Sequence, residues 1–142
     1  MDKAALRQQM ILLRKNFAAK KTASAAITKK IMQLTVWKKA KSVCIYTSLP
    51  NEVDTGVLLQ SGKEISWESL DLYIVPGVAF DIHGNRLGRG RGFYDKLLAH
   101  VTVPKIGLAY SIQVLAEVPH SSYDVPMDMV VTEKGMYENK TS

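Results

Sequence analysis

From Lys3 to Lys20 the apolar residues Leu6, Met10, Leu13 and Phe17 recur at helical intervals, with Ala4, Ala5 and Ile11 beside them. That period predicts a helix burying these side chains. Asp2 stands at the N-cap position, where a short side-chain acceptor and a negative charge both suit a helix start. Lys3, Arg7 and Arg14 fall on another face of the same helix, so three cations share one stripe. A second helix is predicted from about Ser24 to Leu34, burying Ile27, Ile31 and Leu34 and turning Lys29 and Lys30 to water.

Four short apolar runs read as strands: Val43-Cys44-Ile45-Tyr46, Leu72-Tyr73-Ile74-Val75, Lys105 to Tyr110, and Met129-Val130-Val131-Thr132. The second is stopped by Pro76-Gly77. Runs apolar on both faces imply strands covered by helices on both sides, as in a parallel sheet. Phe93 to His100 reads as a helix between the second and third runs, and Ile112 to Glu117 as a short further one. The expected fold is therefore α/β, a mostly parallel sheet flanked by helices. One domain is expected over residues 1–142, with a tail that frays after Tyr137.

Composition changes this picture little. A hydrophobic fraction of 46% and a charged fraction of 23% are ordinary globular values and exclude a disordered or fibrous chain. No stretch reaches the roughly 18 consecutive apolar residues of a membrane span. Met1 to Arg7 lack the basic start and apolar centre of a secretory signal. The single cysteine, Cys44, lies in an apolar run and has no internal partner. A cytoplasmic monomer is the expectation.

Charge is uneven. Of the net +6, residues 1–41 carry eleven Lys or Arg against one acid, Asp2, while residues 42–142 carry eight basic residues against twelve acids. A basic start suits polyanions generally: nucleotides, folate glutamate tails or nucleic acid.

Candidate chemistry concentrates between Pro76 and Asp95. The stretch leaves a buried strand and runs into a helix, the position where open α/β sheets collect ligands. Gly88, Gly90 and Gly92 let the backbone turn and approach a ligand closely. Arg86, Arg89 and Arg91 supply charge, and Asp95 follows where a carboxylate is able to hold Mg²⁺ against phosphates. The loop is built like a polyphosphate cradle. It is neither a P-loop nor the dinucleotide fingerprint. A solvated Gly/Arg turn and an RNA-binding segment are the competing readings, although RNA-binding Arg/Gly segments usually sit in long disordered tracts. Other residues read as structural. His83 has no second His or Cys at ligand spacing and reads as a turn residue. Trp37, Cys44, Met127 and Met129 read as packing, and Trp67 as packing or as a pocket flank. Of Asp124 and Asp128, one reads as a turn cap.

Residues 76–95 resemble the signature of the 5-formyltetrahydrofolate cyclo-ligase family, Pro-Gly-x-x-Phe-Asp-x-x-Gly-x-Arg-Leu-Gly-x-Gly-x-Gly-Tyr-Tyr-Asp, with Phe93 in place of the first tyrosine. Lys3 to Arg7 resembles the family's N-terminal Lys-x-x-Leu-Arg. Glu52-Val53-Asp54-Thr55 resembles its Glu-x-Asp-Thr turn, and Asp124 to Thr132 its C-terminal end. One departure is large. Only Gly56 to Ser69 fill an interval that is much longer in the family.

The resemblance implies closure of 5-formyltetrahydrofolate to 5,10-methenyltetrahydrofolate, dependent on ATP and Mg²⁺ and releasing ADP and phosphate. It assigns Lys3, Arg7, Arg86, Leu87, Gly88, Arg89, Gly90, Arg91, Gly92, Phe93 and Tyr94 to ATP, with Arg89 and Tyr94 as the catalytic pair. Asp95 and Asp124 would hold Mg²⁺. Leu49, Glu52 and Asp54 would border the folate, and Arg89 to Phe93 would lie between the two ligands. A non-catalytic nucleotide- or folate-binding relative is the alternative that the shortened interval raises. A basic RNA-binding module is a further one.

Overall fold

Helix α1, Lys3–Asn16, begins where Asp2 caps it: the Asp2 carboxylate accepts the Ala5 N–H at 2.8 Å. The structure, a computed structural model, describes residues 2–68 and 71–139. The helix stops earlier than Lys20. Phe17 leaves helical geometry and folds against Tyr110, with ring centroids 5.0 Å apart. Leu6 and Met10 are buried as expected, but Leu13 is exposed and Arg14 takes the enclosed place. Leu6 and Met10 meet Val78, Ala79 and Leu87, whereas Arg14 lines a cavity. A cation is enclosed there in place of a leucine.

Helix α2, Lys20–Gln33, starts four residues before the predicted Ser24 and buries Ile27 and Ile31 completely. Lys29 is exposed, but Lys30 donates from Nζ to the Thr132 carbonyl at 2.8 Å, so only one of the two lysines simply faces water. A short helix α3, Thr35–Lys39, then buries Trp37.

The strands β1 (Ser42–Ile45), β2 (Glu64–Ile65), β3 (Tyr73–Val75), β6 (Lys105–Leu108), β8 (Met129–Val131) and β9 (Met136–Glu138) form one sheet in the order β2-β1-β3-β6-β8-β9. All neighbours pair parallel except β8 with β9. A one-turn helix α4, Gly56–Leu59, lies between β1 and β2. The core strands bury both faces, as the apolar runs predicted. Val43, Ile45, Ile74, Ile106, Leu108 and Val131 meet α2 and α3, while Cys44, Tyr73, Val75 and Val130 meet the opposite layer with Leu98 of α5 (Phe93–Leu98). Removing a fully buried side chain such as Ile31 would cost about 2–5 kcal/mol.

Two expectations are corrected. The segment 112–117 is not a helix: a 3-10 turn, Ser111–Gln113, passes into strand β7, Val114–Leu115. Strand β7 joins β4 (Ala79–Asp81) and β5 (Arg86–Leu87) in a second, three-stranded sheet, because Phe80 and Asp81 offer a free edge to β-branched Val114. Nor does the chain fray directly after Tyr137. Glu138 pairs with Met129, and the Asn139 N–H donates to the Asp128 carbonyl at 2.9 Å.

From β1 the chain goes to β2 on one side, and from β3 to β6 on the other. The order therefore reverses between β1 and β3, the switch point where α/β sheets open a crevice beyond the strand ends.

Candidate functional site

The hairpin of β4 and β5 sets up the loop that follows it. The buried Asp81 carboxylate accepts from the N–H groups of His83, Asn85 and Val118 and from Asn85 Nδ2, at 2.9 to 3.0 Å. His83 is thus a turn residue, as expected. Arg86 is enclosed beneath the loop. Its Nε donates to the Pro76 carbonyl at 2.6 Å, and its guanidinium lies 4.9 Å over the Tyr94 ring. Burial pulls its pKa down, with Asp95 the largest opposing influence. From Gly88 to Gly92 the chain then runs over solvent, with Gly90 at φ +101° and Gly92 at φ +68°. Both values favour glycine, and a Cβ at Gly90 would sit 3.3 Å from the Arg7 guanidinium.

This loop, α1 and the ends of β1 and β3 enclose a cavity of about 580 Å³, the size of a small-molecule site. Lys3, Arg7 and Arg14 line it together, so the cationic stripe of α1 forms one wall. Arg7 Nε donates to the Gly88 carbonyl at 2.8 Å, clamping the loop to the helix. Arg86 to Tyr94 line the cavity throughout, with Asp95 in the first turn of α5. Asp124 reaches the same space. Its carboxylate accepts from Lys3 Nζ at 2.8 Å and from the Ser121 N–H at 2.9 Å, and Asp95 Oδ1 accepts the Val125 N–H at 3.1 Å. Burial pushes the Asp124 carboxyl up, but Lys3 and Ser121 outweigh it and hold it below its usual value. Asp128 lies elsewhere, with its carboxylate on the Lys105 N–H at 2.8 Å.

Another part of the lining is aromatic and acidic. Leu49, Glu52, Trp67 and Phe93 line it, with Tyr46 and Thr47 from the end of β1. Glu52 is buried: Oε1 accepts the Leu49 N–H at 2.8 Å and Oε2 lies 3.3 Å from Arg89. Trp67 is 54% exposed and meets Phe93 edge-on at 5.6 Å, so it flanks the pocket rather than packing the core. Burial pushes the Tyr94 phenol up to about 12, so it carries its proton at neutral pH as an ordinary phenol does.

One expected site residue stands apart. Asp54 accepts the Gly56 N–H at 2.8 Å and borders a separate surface cavity with Lys20, Lys21 and Lys29, so it does not join Leu49 and Glu52 at the first cavity. Its carboxylate holds the turn into α4. Burial pushes the Cys44 thiol up to about 11, as befits core packing. Ser69, which closes the shortened interval, lies outside the described residues. Among the described residues, no three His, Cys, Asp or Glu side chains form a metal-binding cluster. The two carboxylates suit Mg²⁺, which binds through one or two carboxylates and substrate phosphates.

The model of the 5-formyltetrahydrofolate cyclo-ligase family matches residues 60–133. The NMR structure of Aquifex aeolicus 5,10-methenyltetrahydrofolate synthetase superposes with a TM-score of 0.85 at 30% identity, covering 99% of this chain and 94% of that one. This chain belongs to the 5-formyltetrahydrofolate cyclo-ligase family. The Mycoplasma pneumoniae 5,10-methenyltetrahydrofolate synthetase structure gives a TM-score of 0.77 at 26% identity, covering 94% of this chain and 99% of that one. The 5-formyltetrahydrofolate cyclo-ligase of Escherichia coli K12 is 40% identical over 72 residues, a match that takes in 49% of this chain and 40% of the relative's length.

Sequence reasoning did not bring Arg14 or Tyr46 to this cavity. Arg14 was visible as the third cation of the α1 stripe, though nothing marked it as enclosed. Tyr46 ends an apolar strand and carries no signal of its own.

Proposed function

We propose that this chain converts 5-formyltetrahydrofolate to 5,10-methenyltetrahydrofolate, using ATP and releasing ADP and phosphate. The observation that carries the reading is the convergence on one cavity of the Gly/Arg loop, Lys3 and Arg7 on one side and Trp67, Phe93 and Glu52 on the other. The first set suits a polyphosphate and the second a flat, hydrogen-bonding heterocycle.

Arg7 and the backbone of Gly88 to Gly92 cradle the phosphates, and Arg91 adds charge at the rim. Arg89 lies between the two walls and meets the charge that grows on the transferring phosphoryl group. The formyl oxygen takes the γ-phosphoryl group as the bond to ADP breaks. The neighbouring folate nitrogen then attacks the formyl carbon, and phosphate leaves with the former formyl oxygen. Neither step needs a protein nucleophile; both need alignment and exclusion of water. Tyr94, kept protonated, donates a hydrogen bond near the reacting oxygens. Asp95 and Asp124 would hold Mg²⁺, which when bound neutralises phosphate charge. Lys3 releases Asp124 for that role and turns to the phosphates.

Mixing the protein with 5-formyltetrahydrofolate and Mg-ATP tests the reading. The ultraviolet absorbance of the methenyl product is expected to rise. Folded protein at high concentration giving no product would leave binding alone, the alternative that the shortened interval raises.

A further inference from the structure

Three cations of the basic N-terminal region, Lys20, Lys21 and Lys29, stand around a second cavity, and the proposed reaction uses none of them. The cavity is an open groove of about 730 Å³ between α2 and the turn from Pro50 to Val57. Ala25, Met32, Pro50 and Val57 make much of its lining apolar. Lys20 is spent on structure, its Nζ donating to the Lys15 and Phe17 carbonyls at 3.0 and 2.8 Å. Lys21 and Lys29 are exposed, and among the described residues neither ammonium has a hydrogen bond or an ion pair. They stand eight residues apart on one helix, about 12 Å along its axis. Thr28, beside Lys29, is 9% exposed and lines the groove, and among the described residues its hydroxyl has no hydrogen-bond partner. A hydroxyl enclosed without a partner costs stability, so an acceptor brought there by a ligand is favoured.

The groove is built in advance. Tyr110 Oη donates to the Glu52 carbonyl at 3.0 Å and meets Ser24 Oγ at 3.1 Å, and Ser24 Oγ accepts the Asp54 N–H at 3.0 Å. These bonds fix the turn against α2. The two acids at the groove are already engaged. Glu52 accepts the Leu49 N–H and lies against Arg89, and Asp54 accepts the Gly56 N–H.

We infer that this groove is a second binding site, for an elongated organic anion with a carboxylate toward each end of an apolar chain. Lys21 meets one carboxylate, Lys29 and the Thr28 hydroxyl meet the other, and the chain between them lies on Ala25, Met32 and Val57. That chemistry has two sources. One is a free dicarboxylate. The other is the glutamyl tail of a folate seated in the first cavity, because Glu52 borders both cavities. The site itself does not depend on the folate reading.

The test follows amide NMR shifts of the full chain titrated with suberate, an eight-carbon chain with a carboxylate at each end, and with octanoate, which has one. Suberate should shift α2 and the turn from Pro50 to Val57 and bind about tenfold tighter than octanoate. Combining Lys21→Gln with Lys29→Gln should remove that preference, and Thr28→Val should weaken suberate about threefold to tenfold. Lys38→Gln, at an exposed lysine outside the groove, should bind as wild type does. Circular dichroism and wild-type Mg-ATP affinity establish that each variant is folded. The source is read by comparing 5-formyltetrahydrofolate carrying one and three glutamyl residues. A gain for the longer tail that the double lysine variant loses supports the site with the substrate's own tail in it. Equal affinity for both tails, with suberate still bound, supports the site with a free dicarboxylate as its occupant. Suberate shifts confined to the first cavity overturn the site, as does a loss in Lys38→Gln equal to that of the double variant. So does a folded double variant, or a folded Thr28→Val, that binds suberate as wild type does. Suberate bound in the groove while neither folate binds overturns the folate reading alone.

Discussion

Lys3 Nζ lies 2.8 Å from Asp124 Oδ2, tying the first turn of α1 to the loop before β8 across 121 residues of chain. The pair links the group assigned to phosphate with a group assigned to the metal. Lys3 also holds the Asp124 carboxyl low against its partial burial. A carboxylate lowered on folding stabilises the protein above its unfolded value, near 3.8, and that contribution disappears as pH falls through the lower folded value. Thermal midpoints of wild type and Asp124→Asn should therefore differ at neutral pH and converge below about pH 4. A gap that persists in acid would assign the effect to something other than the charge.

Magnesium dependence separates three aspartates. Asp95→Asn and Asp124→Asn keep shape while removing the charge a cation needs. Both should raise the magnesium required for ATP binding steeply and abolish most turnover. Asp128→Asn should leave the magnesium titration unchanged and lower stability instead, because Asp128 holds the Lys105 backbone and sits 3.4 Å from its ammonium. Calorimetric ATP titrations across magnesium concentrations check this. Asp95→Asn titrating like wild type would contradict the metal assignment.

The three loop arginines should not behave alike. Arg86 is built into the fold, so Arg86→Ala should lower the melting temperature and weaken every function of the loop. Arg89→Ala should leave stability nearly unchanged and slow turnover more than it weakens ATP binding, by about one to two powers of ten, since a charge-assisted contact is worth about 1.5–3 kcal/mol. Steady-state kinetics beside thermal melts distinguish the two. Normal turnover in Arg86→Ala, Arg89→Ala and Arg91→Ala would remove the loop from the phosphate site.

Trp67 supplies an optical probe. Trp37 is buried in the core, whereas Trp67 stands at the cavity mouth against Phe93. Folate binding should change tryptophan emission in wild type and leave Trp67→Phe unchanged, with affinity lowered about tenfold through lost ring contact. An undiminished signal in Trp67→Phe would place the pterin elsewhere.

The four central strands of the main sheet were legible because they are apolar on both faces, a pattern that a covered parallel sheet explains, whereas its exposed edge strands β2 and β9 carry no such run. The second sheet was not legible. Its strands are two or three residues long, and Arg86-Leu87 lies inside a run whose glycines and arginines read as loop. The Gly/Arg loop and Asp95 were singled out by residue type and spacing and Asp124 by the family resemblance alone, and they line one cavity. Glu52 and Asp54 stand two apart on a turn: Glu52 borders both cavities, whereas Asp54 borders only the second. Arg14 was seen as a stripe member only. Enclosure depends on what α1 packs against, and helical periodicity does not carry that information.

The most direct measurement follows ADP and methenyl product in the same reaction, with and without 5-formyltetrahydrofolate, in the presence of magnesium. Phosphoryl transfer to the formyl oxygen requires one ADP for each methenyl product and no ADP when the folate is left out. ADP released without folate, or folded protein that binds both ligands and forms neither product, would contradict the account.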